Sequence, residues 1–220
     1  HGTYNFNNPL KKFYNSVMLR GNSVIAGSRF IFEHIKNNYN YSKEIFLIPR
    51  GIDVNYFNPK NSSIEELNSV RMRWGISSNN FLILLPGRLT FWKGQFLFLN
   101  TLLFLKEENL LNNISAIILG DDQGRTEYRQ YLLDFIREHR LEENVKVVSH
   151  ESFMPSAYNA CDLVLSASIE PEAFGRVAVE AQAMEKPILA SNIGGSNETI
   201  IDGQTGWLFK SDDEKDLAKM

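Results

Sequence analysis

Two acidic residues stand eight positions apart in the segment SIEPEAFGRVAVEA, a spacing that suits one ligand contacted at two ends. Glu172 comes just before a helix predicted to start near Phe174, and Glu180 lies inside that helix, up to about 12 Å away if every residue is helical. A carboxylate accepts two hydrogen bonds side by side, so Glu180 can hold a ribose diol while Glu172 accepts from sugar hydroxyls. The spacing fits equally well one acid that only favours the helix start and another that faces water.

The start of the same predicted helix offers backbone amides that have no partner within the helix. The amides of Phe174, Gly175 and Arg176 can therefore bind sugar or phosphate oxygens. Gly175 has no side chain to hold a ligand away from the backbone. We expect these amides to belong to the same site as the two acids.

Two cations lie in the segment GRLTFWKGQ, directly after the apolar run FLILLP. Arg88 and Lys93 precede a helix predicted to begin near Gly94, so two positive charges and a helix N-terminus come together. This arrangement favours a diphosphate, and the cations can also stabilise a leaving diphosphate as negative charge develops on it. Because Arg and Lys are common before helices, the loop by itself also fits an ordinary solvated loop.

Seven short apolar runs rich in Ile, Leu and Val recur along the chain, and helical patterns separate most of them. Such runs suit strands buried on both faces, and their alternation with helices implies a parallel sheet. The sequence therefore predicts an α/β fold, a Rossmann-like parallel sheet with helices on both faces. The runs are VIAG (24–27), EIFLIP (44–49), FLILLP (81–86), AIILG (116–120), VKVV (145–148), DLVLSAS (162–168) and PILAS (187–191). Open sheets of this kind bind ligands beyond the carboxyl ends of their strands, where these acids and cations fall.

A segment rich in Gly, Pro, Asn and Ser interrupts the pattern between Pro49 and Ser63, as expected of a crossing between domains. We predict that residues 1–50 are the C-terminal remnant of one Rossmann domain, because they offer only two strands and two helices. Residues 51–62 are the predicted linker, and residues 63–220 a second domain truncated at its C-terminal end. The chain opens without a methionine and stops inside the helical pattern SDDEKDLAKM, so we expect a fragment.

Composition argues against several partners and locations. The formal net charge of -3 and the scattered Lys and Arg residues create no basic field, so no nucleic-acid partner is expected. The single cysteine, Cys161, lies in an apolar stretch and is predicted to be a buried, inert thiol, which fits a reducing cytoplasm. The longest apolar run, Phe96 to Leu105, is too short to cross a bilayer, for which about 20 residues are needed.

The segment EAFGRVAVE resembles the E-x7-E motif of glycosyltransferase family 4, and further family motifs follow in the family's order. IPRGIDVNYFNP is similar to its interdomain linker, and GRLTFWKG to its diphosphate loop. MPSAYNACDLVLSAS is similar to the helix and strand before the E-x7-E motif, and KPILASNIGGSNETIIDGQTGWLF to the segment after it. The resemblance spans nearly the whole chain. It implies the GT-B fold, with residues 63–220 as the nucleotide-sugar-binding domain and residues 1–50 on the acceptor side.

Carried over onto this sequence, the resemblance assigns Arg88 and Lys93 to the diphosphate of the donor and Glu180 to its ribose. It assigns Glu172 and the backbone of Phe174 and Gly175 to the transferred sugar.

The base of the donor is expected against the backbone near Val148 to His150, although His150 also fits an ordinary loop residue. His1 resembles a histidine that lines the catalytic cleft on the acceptor side. Arg88, Lys93, Glu172 and His1 are therefore the expected catalytic residues.

The resemblance implies a retaining, hexosyltransferase-type transfer of sugar from a nucleoside diphosphate to a carbohydrate or lipid-linked acceptor, without a cofactor. The leaving diphosphate is expected to help deprotonate the incoming hydroxyl. Similarity to bacterial members favours lipopolysaccharide or polysaccharide assembly, in the cytoplasm or at the cytoplasmic face of the membrane. Lys11, Lys12 and Arg20 beside Phe13 and Tyr14 can contact an anionic inner membrane, but a solvated amphipathic helix explains them as well.

Other enzyme classes lack their motifs in this sequence. It contains no dinucleotide-binding G-x-G-x-x-G, no phosphate-binding G-x-x-x-x-G-K, no G-x-S-x-G, and no cluster of His or Cys. Metal-using glycosyltransferases typically carry Asp-x-Asp, whereas the acids here occur as Asp121-Asp122 and Asp212-Asp213, so a metal-independent site is preferred. Two alternatives stay open: a non-catalytic nucleotide-sugar-binding or scaffold domain, and a phosphorylase or sugar epimerase of the same architecture.

Overall fold

Eight strands form two parallel sheets within residues 9–220, the part of the chain that the computed structural model describes. The strands are β1 (Ser23–Ala26), β2 (Glu44–Leu47), β3 (Phe81–Pro86), β4 (Ile114–Leu119), β5 (Val145–Val148), β6 (Leu163–Ser166), β7 (Ile188–Ser191) and β8 (Trp207–Phe209). β1 pairs with β2, and the other six form one sheet in the order β5-β4-β3-β6-β7-β8. The predicted α/β fold with a parallel sheet is therefore confirmed.

Helices connect the strands and cover both faces of the six-stranded sheet. They are α1 (Pro9–Ser16), α2 (Arg29–Asn38), α3 (Ile64–Arg73), α4 (Gln95–Glu107), α5 (Thr126–Glu138), α6 (Met154–Ala160), α7 (Arg176–Ala183), α8 (Ser196–Thr199) and α9 (Glu214–Lys219), with short 3-10 turns at Val17–Leu19, Pro59–Asn61 and Phe91–Lys93. Polar caps decide where several of them begin. Ser63 and Glu66 form a reciprocal capping box at the start of α3, and the Ser28 hydroxyl accepts from the Ile31 amide at the start of α2.

The apolar strands bury side chains on both faces of the sheet, as their composition predicts. Alternate residues of β3 belong to different clusters, because successive side chains of a strand point to opposite faces. Leu84 packs with Val70 of α3 and Ala178 of α7, whereas Leu85 packs with Leu99 of α4 and Leu132 of α5. Helices α3, α6 and α7 therefore cover one face, and α4, α5 and α9 cover the other.

The observed elements differ from the predicted ones mainly at their ends. α7 begins at Arg176 rather than near Phe174, because Gly175 takes a left-handed conformation with φ of 81° and ends the preceding loop. α4 begins at Gln95, one residue after the predicted start, and ends at Glu107, two residues before Asn109 with its positive φ. Three-residue β8 was not among the predicted strands, because its run is too short to stand out from the surrounding turns.

The segment between the two sheets is held by hydrogen bonds within it and by one from α6. The Asp53 carboxylate accepts from the amides of Asn55 and Tyr56, and the Asn159 amide on α6 donates to the Pro59 carbonyl. Phe57 is 7% exposed and contributes to the core beneath α6. The division into an acceptor-side part, a linker and a donor-binding domain stays a prediction.

Candidate functional site

A cleft opens at the carboxyl ends of β3, β4 and β5, beside the first turn of α7. It measures about 360 Å³, and its walls include Gly87 after β3, Asp121 after β4, His150 after β5, and Met154 and Glu180 from α6 and α7. We call it the strand-end cleft. Because β3, β4 and β5 are neighbours in the sheet, their loops meet at one edge, which is where ligands of open α/β sheets bind.

Lys93 and Glu172 contact each other directly. The Lys93 Nζ donates to Glu172 Oε1 at 2.8 Å, and only 12% and 11% of the two side chains are exposed. The Ser168 hydroxyl donates to the same Oε1 at 2.5 Å. Both described contacts fall on one carboxylate oxygen, so Glu172 Oε2 is left to accept from another group.

Arg88 and Lys93 lie in one loop but in different surroundings. Lys93 runs along Gly87, which lines the strand-end cleft, so that a Cβ at Gly87 would lie 3.5 Å from Lys93 Cδ. Its Nζ also lies 4.6 Å from the centre of the Trp92 ring, within range of a cation–π contact. Arg88 is exposed, and none of the described residues forms an ion pair with it.

A buried glutamine fixes the backbone of this loop. The Gln95 side chain is fully buried, donates to the Arg88 carbonyl at 2.9 Å and accepts from the Tyr128 hydroxyl at 3.2 Å. Burial raises the pKa of Tyr128 to about 12, so its hydroxyl remains a donor at neutral pH. These two hydrogen bonds connect Tyr128 of α5 and Gln95 of α4 to the Arg88 carbonyl. They therefore support the loop of residues 87–94, which we call the cationic loop.

Glu180 does not face water, although its position inside a helix allowed that interpretation. Its side chain is 12% exposed, and Oε2 accepts from the Tyr158 hydroxyl at 2.6 Å. Its Oε1 lies 3.0 Å from Nη2 of Arg176, whose side chain is 67% exposed. Glu180 thus lies on the wall of the strand-end cleft with one buried partner and one solvent-exposed partner.

Two glycines hold the loop of Glu172 against the loop after β7. The Glu172 carbonyl accepts from the Gly195 amide at 2.8 Å, and Glu172 pairs with Gly194 as an isolated bridge. A Cβ at Gly195 would lie 2.5 Å from the Phe174 Cα. Only glycine permits this approach, which fixes the backbone of Glu172 and Phe174 just before α7.

The residues before position 50 reach the same loop. The Ser28 hydroxyl donates to the Ala173 carbonyl at 2.5 Å. The Glu198 carboxylate accepts from the Arg29 and Phe30 amides at 2.7 and 2.5 Å, where α2 begins. The first turn of α2 is therefore tied to the segment that carries Glu172.

The structure brings most of the predicted residues to one edge of the sheet, with differences in detail. Lys93 meets Glu172, and Arg176 meets Glu180 on the cleft wall. His150 also lines the cleft. Val148 packs partly against the core, and its carbonyl accepts from the Gly120 amide. His1 lies outside the described residues.

Three supporting residues went unnoticed in the sequence. Ser168, Tyr158 and Gln95 have no motif of their own, and each acts only through a residue brought near by the fold. Tyr158 and Ser168 do lie in MPSAYNACDLVLSAS, the segment similar to the family's helix and strand before the E-x7-E motif. That position was the available signal.

Cys161 is a buried core residue, as predicted. It is 1% exposed, and burial raises the pKa of its thiol to about 12, so the reactive thiolate is scarce at neutral pH. Within residues 9–220, no three His, Cys, Asp or Glu side chains cluster as metal ligands. None of the helices in the same range is long and apolar enough to span a bilayer.

Gly94, at the end of the cationic loop, is expected to tolerate no side chain. A Cβ there would lie 1.8 Å from the Ala167 carbonyl oxygen, and the residue has φ of 72°. We expect Gly94→Ala to lower the free energy of unfolding by more than about 3 kcal/mol, because the backbone at Gly94 or Ala167 must move to relieve the clash. Gly203 has the same φ and nothing within 4 Å, so Gly203→Ala should cost only about 1 kcal/mol. Urea denaturation of both variants checks this, and equal losses would contradict the clash.

Comparison with known proteins places the chain in one family. The model of the family "Glycosyl transferases group 1" matches residues 68–220, more than half of the chain. The chain therefore belongs to the group 1 glycosyltransferases, and the resemblance noted in its sequence is confirmed at that level. A "D-inositol 3-phosphate glycosyltransferase" of Paenarthrobacter aurescens is 32% identical over 79% of this chain and 41% of its own length. A "Lipopolysaccharide 1,2-N-acetylglucosaminetransferase" of Salmonella typhimurium is 30% identical over 74% of this chain and 42% of its own.

Solved structures agree with this assignment. A glycosyltransferase from Rickettsia africae superimposes with a TM-score of 0.87 at 35% identity, covering all of this chain and 57% of that protein. Anabaena HepE, solved in complex with UDP and glucose, gives a TM-score of 0.79 at 30% identity over 96% of this chain and 55% of that one. These neighbours are GT-B glycosyltransferases, which confirms the predicted fold type. The chain spans about half the length of the proteins it matches.

Proposed function

We propose that this chain forms the donor-binding side of a retaining glycosyltransferase that moves a sugar from a nucleoside diphosphate to a carbohydrate or lipid-linked acceptor. The observation that carries the proposal is the ion pair of Lys93 and Glu172 next to Gly87 of the strand-end cleft, with Glu180 of α7 on the cleft wall. A donor of this class presents anionic phosphates, sugar hydroxyls and a ribose diol. The loop with Arg88 and Lys93 suits the phosphates, Glu172 suits the sugar hydroxyls, and Glu180 suits the ribose diol.

The diphosphate has three sources of positive potential. Arg88 is exposed and can reach an incoming anion, Lys93 packs along Gly87 next to the cleft, and the first turn of α7 offers amides with no helical partner. When the bond between the sugar C1 and the diphosphate oxygen breaks, the negative charge that appears on the diphosphate is stabilised by these groups. Metal-independent transfer is part of the proposal.

Retention of configuration follows if the acceptor attacks from the face that the diphosphate leaves. The acceptor oxygen bonds to C1, and its proton passes to an oxygen of the departing diphosphate. Glu172, fixed through Oε1 by Lys93 and Ser168, keeps Oε2 for the hydroxyls of the transferred sugar. His1 is the proposed contribution from the acceptor side, and residues 1–50, 51–62 and 63–220 are the proposed acceptor-side part, linker and donor domain.

Cell-surface polysaccharide or lipopolysaccharide assembly is the proposed pathway. Support comes from a relative that is named as a lipopolysaccharide N-acetylglucosaminetransferase. We propose a cytoplasmic location with peripheral contact at the membrane, for which α1 offers Phe13 and Tyr14, 66% and 78% exposed, beside Lys12. The donor nucleotide to test first is UDP, which HepE binds in its crystal structure.

A thermal-shift panel tests donor binding by this chain. At a concentration of one hundred times Kd, a nucleoside diphosphate should add about 2.7 kcal/mol, which raises Tm by about 5–10 °C in a chain of this size. The uridine, guanosine, adenosine and cytidine diphosphates are compared, each with its monophosphate as the matched control. The monophosphate lacks the second phosphate for Arg88 and Lys93, so its shift should be smaller. A panel without any shift would contradict the proposal and leave a scaffold domain of the same fold.

A further inference from the structure

Tyr158 is a buried hydroxyl whose described side-chain hydrogen bond goes to a carboxylate of the candidate site. Its side chain lies on α6 with no exposed surface, and its hydroxyl donates to Glu180 Oε2 at 2.6 Å. One of the largest buried side chains of the core thus donates its hydrogen bond to an acid on the cleft wall. Packing alone does not require the hydroxyl, since phenylalanine has the same ring.

The ring of Tyr158 is held from the linker side. Phe57, 7% exposed, packs edge-on against it with ring centres 5.9 Å apart, and the Cys161 thiol donates to the Tyr158 carbonyl. Burial, together with the charge of Glu180, raises the pKa of Tyr158 well above its usual range, so the hydroxyl keeps its proton. Glu180 therefore faces a permanent donor at a fixed position.

The second partner of Glu180 has the opposite character. Arg176 is 67% exposed and reaches Oε1 from one helical turn away, so its side chain loses little packing when it moves. A carboxylate offers about four acceptor positions, and the described contacts use one on each oxygen. Both oxygens thus retain capacity for a pair of neighbouring hydroxyls, provided that the carboxylate keeps its rotamer.

We propose that Tyr158 is a positioning residue that sets the Glu180 carboxylate for a vicinal diol and so selects ribonucleotide over 2′-deoxyribonucleotide donors. This inference rests on the proposed function, in which Glu180 binds the ribose. Tyr158 itself need not touch the donor. It acts by holding Oε2, so that both carboxylate oxygens present acceptors to O2′ and O3′ of one sugar ring.

Calorimetric titration of UDP and 2′-deoxy-UDP tests the inference. The wild-type chain should bind UDP about tenfold or more tightly than 2′-deoxy-UDP, because the deoxy sugar lacks one hydrogen bond to a charged acceptor. Tyr158→Phe should lower that ratio to about threefold or less, mainly by weakening UDP. Glu180→Gln should lower it as well, and the double variant no further, because Tyr158 acts through this carboxylate.

Tyr131→Phe is the matched control, since Tyr131 is 49% exposed on α5 and packs on Phe96. It should keep the wild-type ratio. If Tyr158→Phe does not fold, 4-fluorophenylalanine at position 158 serves instead, because it has nearly the size of tyrosine but donates no hydrogen bond. The preference for UDP over 2′-deoxy-UDP must fall in that variant too.

The outcomes separate the inference from the function on which it rests. If the wild-type chain binds neither UDP nor another nucleoside diphosphate, the proposed function is wrong, and the inference falls with it. If the wild-type chain prefers the ribonucleotide and the hydroxyl-free variant prefers it equally, Tyr158 is only a structural tie between α6 and α7, and the inference alone is overturned.

Discussion

Replacing Arg88 with alanine is expected to lower kcat about 100-fold in the full-length protein that carries this sequence, with Tm unchanged. Arg88 is exposed, and none of the described residues pairs with it, so its removal breaks no ion pair seen in the fold. Its proposed work is done only when charge builds on the leaving diphosphate. Such a loss appears in kcat and kcat/KM together rather than in KM.

Two further variants make this result specific. Arg88→Lys keeps the charge but loses the planar fork that binds two phosphate oxygens, so kcat should fall to an intermediate value. Arg137→Ala removes another exposed arginine, which lies on α5 and pairs with Asp134, and it should leave kcat unchanged. Initial rates with saturating donor give the comparison. Wild-type kcat in Arg88→Ala would remove Arg88 from the leaving-group role.

Replacing Lys93 with methionine is expected to lower both the free energy of unfolding and kcat. The change leaves the Glu172 carboxylate, 11% exposed, without its cation, which should lower the free energy of unfolding by about 2–3 kcal/mol. The second substitution, Glu172→Gln, removes the negative charge that Lys93 compensates. The double variant should therefore be more stable than the sum of the single losses predicts, by about 1 kcal/mol or more.

The exposed pair Arg137–Asp134 provides the control for this cycle. Its side chains are 66% and 54% exposed, so its coupling should stay within about 0.5 kcal/mol. Urea unfolding of the single and double variants measures both cycles. Additive losses at Lys93 and Glu172 would mean that the contact between them contributes nothing to the folded protein, and that Lys93 is held by other contacts.

The pairing of Lys93 with Glu172 was not foreseen in the sequence, where the two residues had separate parts of the donor to bind. They are separated by 79 positions, and only the close approach of the loops after β3 and β6 brings them together. Without a diphosphate, the charges of Lys93 and Glu172 neutralise each other. In the proposed function, a donor would therefore share Lys93 with Glu172, so that its diphosphate lies next to the acid proposed to bind the sugar.

The strands could be predicted because burial on both faces leaves a clear mark in composition. All seven apolar runs became strands, whereas the three-residue β8 carries no such mark. The start of α7 was misplaced by two residues, because Gly175 takes a left-handed φ where it packs next to Ser196 and Thr199 of α8. Local sequence does not reveal that contact.

The supporting contacts of the site lie beyond sequence patterns for the same reason. Tyr158 and Glu180 belong to different helices, and Gln95 reaches the Arg88 carbonyl only because α4 begins inside the cationic loop. Residue types and spacing can indicate which side chains bind a ligand. Which neighbours fix their rotamers is decided by the packing of α4, α6 and α7 on the sheet.

The central claim is that a diphosphate binds between the cationic loop and the start of α7, and a crystal structure of this chain with UDP tests it most directly. We expect phosphate oxygens about 3 Å from Arg88 and Lys93, and the ribose hydroxyls on Glu180. UDP bound elsewhere, or bound with its phosphates turned away from Lys93 and its ribose off Glu180, would contradict the account.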